Sequence, residues 1–234
     1  MIEAGLWAFL GQASLLLGAW IALRWNVPRR ALGFVAGFGA GTLVAAAAFE
    51  LCVPAYHEAG RAVTGLALAV GAISFYVADR LVARHAPPGE HGAVGIALGA
   101  LLDGIPESVA IAISLIGGST VSGAMLGEVL ASNLPEGMAS TPGFRRAGWS
   151  TGRIIAMWVG IALAGAVAAM LGRVLLGDAS GDVLGAINAF AAGTILTMIA
   201  SVMLPTAFTD GHEAVGLLFV LGFACLGALT TLGA

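Results

Sequence analysis

Leu101–Ser108 reads LLDGIPES and Ala131–Met138 reads ASNLPEGM, each inside a long apolar run and each with a proline beside an acid. Apolar runs of that length read as membrane-spanning helices, so the acids within them decide what the fold is for. Asp103 and Glu107 are four residues apart and share one helix face, one above the other. Glu128, Ser132 and Glu136 repeat the four-residue step on the partner run. A carboxylate at the bilayer centre costs about 2.5–3.5 kcal/mol on insertion scales, so such groups either stay protonated or hold a cation. Pro106 and Pro135 lack an N–H, which leaves the carbonyls of Leu102 and Ala131 without their helical partners. In lipid those carbonyls need another donor, a water or a cation. Acids and freed carbonyls facing inward form an oxygen cradle for a metal ion. Two kinked helices with protonated carboxyls are the alternative, and the recurrence of the motif on consecutive helices weighs against it.

The rest of the chain supports a membrane setting. Its 234 residues are 59% hydrophobic and only 10% charged, where soluble domains carry about 25% charged residues. Mean hydropathy is +0.97. All ten basic residues are arginine. Cys52 and Cys225 both fall in apolar runs, which excludes a disulfide framework and a cysteine-rich zinc site. The start, MIEAGLWAFL, has no basic cluster ahead of its apolar stretch and does not read as a cleaved signal peptide. A net charge of −3 gives no reason to expect nucleic-acid binding.

Apolar runs of spanning length fall at about 5–25, 31–54, 62–84, 93–116, 119–140, 152–176, 183–208 and 214–233. The expectation is an all-α integral membrane protein, a single transporter domain over 1–234 with eight transmembrane helices. Arg24, Arg29, Arg30, Arg80, Arg84, Arg145, Arg146 and Arg153 fall at connections on one side, and only Arg61 and Arg173 on the other. This positive-inside bias places both termini on the non-cytoplasmic side of the plasma (inner) membrane. The second and seventh runs also resemble each other. Both begin AGT, reach a proline eleven or twelve residues on and end in HEA. Because they cross in opposite directions, the plan is an inverted repeat around a central pair, 3+2+3.

DGIPES and SNLPEG resemble the paired metal motifs of the ZIP (Zrt/Irt-like) family of divalent metal transporters, whose fourth helix commonly reads HNxPEG. The resemblance covers essentially the whole chain. It implies metal ligands at Asp103, in the usual histidine position, at Glu107, at Ser132 and Asn133, and at Glu136. Gly104 stands where the family has asparagine, and Ser108 where it has glycine. The sixth run has no acid where relatives with a second metal often place one. The resemblance thus implies one retained metal site and the loss of much of an adjacent second one.

Other polar residues leave their roles open. Glu128 reads as a further ligand, a proton carrier or a buried protonated carboxyl, the last being favoured. Glu50 either reaches the interface from its helix end or, with His57 and Glu58, lines an outer vestibule. Asp210, His212 and Glu213 would line an inner one, with His85 and His91, although loop histidines are more often solvated than ligating. No HExxH or GxSxG occurs, and all four histidines fall in connections, so an intramembrane hydrolase lacks its parts and no enzyme activity is expected. The reading is a transporter that brings divalent cations into the cytoplasm by alternating access. Zinc ranks first, then iron or manganese, with the ion as substrate and no cofactor. The rivals are a proton- or monovalent-cation-conducting protein and a non-transporting scaffold of the same fold. The bilayer is the expected environment, and the oligomeric state stays open, a homodimer included.

Overall fold

The computed structural model describes residues 2–25, 27–85, 91–114 and 123–233, without the side chains at 85, 91, 92, 103, 106, 109, 110, 113, 114, 123–128, 131 and 229–233. Among the described residues all regular structure is helical. The elements are α1 (Ile2–Arg24), α2 (Arg29–Ala46), a π-helical turn (Ala47–Cys52), α3 (Val53–His85), α4 (His91–Ser114), α5 (Gly123–Arg146) and α6 (Thr151–Leu175). Then follow α7 (Gly181–Met198), a second π-helical turn (Ile199–Met203), α8 (Leu204–Gly211), a 3₁₀ turn (His212–Ala214) and α9 (Val215–Gly233).

Among the described residues, four apolar stretches are long enough to cross a membrane: Ile2–Arg24, Arg29–Arg84, Thr151–Leu175 and Gly181–Ala228. The second and fourth, 56 and 48 residues long, far exceed the roughly 20 residues of one span. Both are interrupted. Gly60 takes φ 72° and ψ 174° inside α3, and His212 takes φ 58° between α8 and α9. The expected runs 31–54 and 62–84 lie on either side of Gly60, and 183–208 and 214–233 on either side of His212.

One boundary differs. The fifth run was expected to end at 140, but α5 continues through Pro142 to Arg146. Pro142 removes only one ladder bond. Arg146 Nε donates to the Pro142 carbonyl at 3.2 Å, and both arginines sit at the negative end of the helix dipole. Residues 115–122, with the expected GGS connection, lie outside the described residues. Gly148, at φ 84°, then turns the chain, and Ser150 caps α6 by accepting the Arg153 N–H at 3.2 Å.

Packing sorts the helices into two groups. Leu15, Ala97, Phe144, Ile154 and Trp158 form a core among α1, α4, α5 and α6. Leu43, Phe75, Ile195, Met198 and Met203 form another among α2, α3, α7 and the π turns, with Ile96 of α4 joining it. The groups meet where α5 lies on α2 and α4 on α7.

The close crossings come in matched pairs. A β-carbon at Gly41 of α2 would strike the Phe219 carbonyl of α9, and one at Gly193 of α7 the Leu68 carbonyl of α3. Conversely, Gly222 of α9 abuts the Phe38 carbonyl and Gly71 of α3 the Phe190 carbonyl. Phe38, Gly41 and Thr42 therefore correspond to Phe190, Gly193 and Thr194. Leu68 and Gly71 likewise correspond to Phe219 and Gly222. Thr42 and Thr194 even make the same bond, Oγ1 to the carbonyl three residues back, at 2.8 and 2.7 Å. The HEA segments do not fit this register. His57–Ala59 lies ahead of the break at Gly60, whereas His212–Ala214 begins at the second break. AGT and the prolines are thus the matched features, and the shared HEA is not.

Large apolar side chains point outward along whole helix faces: Leu6 and Leu10 on α1, Leu66, Val70 and Ile73 on α3, Leu163 and Val167 on α6, Leu217 and Val220 on α9. In water such faces would be sticky. For a helical membrane protein they are the lipid-facing surface.

Candidate metal site among α1, α4 and α5

The polar interior is supplied by three helices. α5 buries Ser132, Asn133, Glu136, Ser140 and Thr141, with Glu136 at 0% exposure. Ser132, Glu136 and Ser140 follow at four-residue steps, one stripe along the helix. What turns the stripe inward is small-residue packing. Gly137 lies against the Leu15 carbonyl of α1, Gly18 of α1 against the Leu134 carbonyl, and Pro135 against Gly39 of α2. Side chains larger than glycine at 18 or 137 would push α1 off α5.

From α4 come Glu107, half-buried, and Ser108, fully buried. Asp103 lies one turn before Glu107 on α4, and Glu128 near the start of α5; both side chains lie outside the described residues. The motif hydroxyls donate to their own backbone: Ser108 to the Gly104 carbonyl at 2.5 Å, Ser132 to the Val129 carbonyl at 3.1 Å, and Ser140 to the Glu136 carbonyl at 2.9 Å. Each hydroxyl proton is thereby spent, which turns the oxygen's lone pairs away from that carbonyl.

The third contributor escaped the sequence reading. Gln12, the only glutamine in the chain, is 2% exposed on α1 and donates Nε2–H to Glu107 Oε2 at 2.9 Å. Its carbonyl oxygen, Oε1, is buried with no hydrogen-bond partner among the described residues. Gly104 is what makes room for it. A β-carbon there would come within 2.8 Å of Gln12 Nε2 and 3.0 Å of Oε1. The space that a side chain at 104 would take is thus filled from another helix by the Gln12 carboxamide. Gly165 of α6 closes the same corner, since a β-carbon there would lie 2.8 Å from Ser108 Oγ and 3.1 Å from Gln12 Cγ. The cue in the sequence was a lone amide in an otherwise apolar first run.

Chemically the assembly offers oxygen: the Glu107 carboxylate, an unsatisfied amide carbonyl, the Ser132 hydroxyl and the Glu136 carboxyl. A buried carbonyl oxygen with no donor is costly, and either a proton donor or a cation relieves it. Asn133 Nδ2 is also buried without a partner among the described residues; only the oxygen of that amide can ligate. Among the described residues no three His, Cys, Asp or Glu side chains gather into a metal-binding cluster.

The vestibule residues are not drawn together either. His57 and Glu58 are exposed, and His57 stacks edge-on against Tyr56 at 5.8 Å. Tyr56 accepts a hydrogen bond from Arg61 Nε at 2.8 Å. Glu50 lies in the first π turn. His212 and Glu213 are exposed and line an open cleft with Arg30. The side chains of His85 and His91 lie outside the described residues. Asp79, a further acid within the apolar runs, was not singled out in the sequence; a β-carbon at Gly95 of α4 would lie 3.1 Å from its Oδ1.

No protein-family model matches the chain, and no curated protein matches it either.

Proposed function

We propose that this chain is a divalent-metal transporter of the ZIP type, moving zinc, and after it iron or manganese, into the cytoplasm. Its helices cross the membrane eight times in a 3+2+3 inverted repeat, with both termini on the non-cytoplasmic side of the plasma (inner) membrane. The observation that carries the reading is the Gln12–Glu107 hydrogen bond with the orphaned Gln12 oxygen beside it. The buried Ser132–Asn133–Glu136 stripe of α5, packed on the same α1 helix through Gly18 and Gly137, supplies the remaining oxygens in this reading. The matched crossings of α2 with α9 and of α3 with α7 support the repeat. The division into two helix groups gives alternating access a surface to slide on, at the α2–α5 and α4–α7 contacts.

In this mechanism the ion sits between α4 and α5 on Asp103, Glu107, Ser132, Asn133 and Glu136 and leaves along the α5 stripe. Ala139 lies one turn beyond Glu136, about 4.5 Å along the helix, and already lines an open cleft. Metal uptake into sealed vesicles tests the reading. Glu107→Gln and Glu136→Gln each keep shape and remove charge, and each should lower uptake at least about tenfold, the equivalent of about 1.4 kcal/mol. Near-normal uptake in both means that the ion does not pass between these helices. An oxygen-only ligand set discriminates weakly among divalent ions, so Asp103→His should raise zinc uptake relative to manganese.

A further inference from the structure

A second polar feature lies at the arginine-rich end of the bundle, away from Glu107. α1 ends, α2 begins and α5 ends around a cleft of about 300 Å³, the low end of the range for ligand sites. Arg29, Arg145 and Arg146 line it, and Asp210 is the one carboxylate among its lining residues. The remaining wall is apolar, with Leu23 and Trp25.

The arginines are held but not spent. Arg145 Nη1 donates to Thr151 Oγ1 at 3.3 Å and Arg146 Nε to the Pro142 carbonyl at 3.2 Å, out of five N–H donors in each guanidinium. Arg29 stands in the first turn of α2, whose N-cap is Pro28, with no side-chain cap and no acid in that turn. A cation at a helix N-terminus opposes the dipole, and an anion in the cleft would offset both. Trp25 and Trp20 pack edge-to-face at 5.3 Å and are each about half exposed, the placing of aromatic residues at a membrane–water interface.

We infer that this cleft binds the phosphodiester headgroup of an anionic phospholipid, with the phosphate on Arg29, Arg145 and Arg146 and the glycerol end along Leu23 and Trp25. Free phosphate shares the charge but has no use for the apolar wall. Basic pockets between spanning helices are suited to such headgroups. None of the proposed metal ligands lines this cleft, although Ala139, where the proposed exit opens, and Asp210, expected in the inner vestibule, lie in its wall.

The test is native mass spectrometry of the full chain in detergent with an equimolar mixture of phosphatidylglycerol and phosphatidylcholine. The wild type should retain phosphatidylglycerol preferentially. Arg29→Gln and Arg146→Gln should each lower that retention about fivefold, while Arg173→Gln, outside the cleft, leaves it unchanged. Asp210→Asn removes the one opposing charge and should raise retention, a readout that a merely unfolded variant cannot give. Equal retention of both lipids, no loss in the arginine variants, or no gain in Asp210→Asn overturns the inference. Displacement of phosphatidylglycerol by millimolar inorganic phosphate overturns the lipid assignment in favour of a soluble anion.

Discussion

Gln12 and Gly104 act as one unit: the glycine has no side chain so that the glutamine has somewhere to go. A hydrogen bond to a charged group contributes about 1.5–3 kcal/mol, so Gln12→Ala should raise the metal concentration for half-maximal uptake by about tenfold or more. Gly104→Ala puts a β-carbon 2.8 Å from Gln12 Nε2. Because Nε2 is the free end of a flexible side chain, the protein should still fold, but the amide must swing off Glu107. Gly104→Ala should therefore lower uptake about as much as Gln12→Ala, and the double variant should be little worse than either. Additive losses would mean that the two residues act separately. LLDGIPES and ASNLPEGM stood out in the sequence because acids at helical spacing inside apolar runs are too expensive to be casual, and the structure leaves Glu107 half-buried and Glu136 fully buried. Gln12 was not legible: a single amide has no periodicity, and its partner is far along the chain. Read on its own, Gly104 looked like a lost ligand; with Gln12 beside it, it is a vacated position.

At the level of helices, two π turns and two backbone breaks define the outer pairs. Val53 N–H reaches back five residues to the Ala48 carbonyl, and Leu204 N–H to that of Ile199, each immediately before a proline that can donate nothing. The first π turn has six residues and the second five, which accounts for the spacing of twelve against eleven from threonine to proline. AGT and the prolines marked this likeness in the sequence because they recur in the same order at nearly the same spacing. Which helix pairs with which was hidden, since the crossings use glycine against backbone carbonyls and leave no side-chain pattern. That physics is testable by substitution. Gly41→Ala and Gly193→Ala drive a methyl into a carbonyl that cannot swing aside, and each should cost about 1–3 kcal/mol of stability. Gly160, with no atom near its would-be β-carbon, should gain about 0.5–1 kcal/mol as alanine. His212→Gly relieves a positive φ and should gain about 1–3 kcal/mol. Thermal unfolding in detergent reads all four. A neutral Gly41→Ala would mean that α2 and α9 do not pack this closely.

For the whole molecule, the open question is which way it sits in the membrane. Apolar faces on α1, α3, α6 and α9 point outward, and most of the arginines gather where α1 gives way to α2, α3 to α4 and α5 to α6. The bias belongs to the connections, so an orientation is proposed from them without reference to packing. The direction of transport depends on it. Glu58 and Arg145 are both exposed, and the orientation proposed here puts them at opposite ends of the bundle. Cys52 is half-buried and Cys225 exposed, so both are first replaced by serine. A membrane-impermeant maleimide should then label Glu58→Cys in intact cells, and Arg145→Cys only after permeabilisation. Glu58 lies near the Gly60 break and Arg145 in the last turn of α5, so neither substitution disturbs a packed crossing, and loss of labelling reports side rather than burial. The reverse pattern would turn the α5 stripe from an exit into an entrance. The metal would then meet the arginine-lined cleft before it met Glu136.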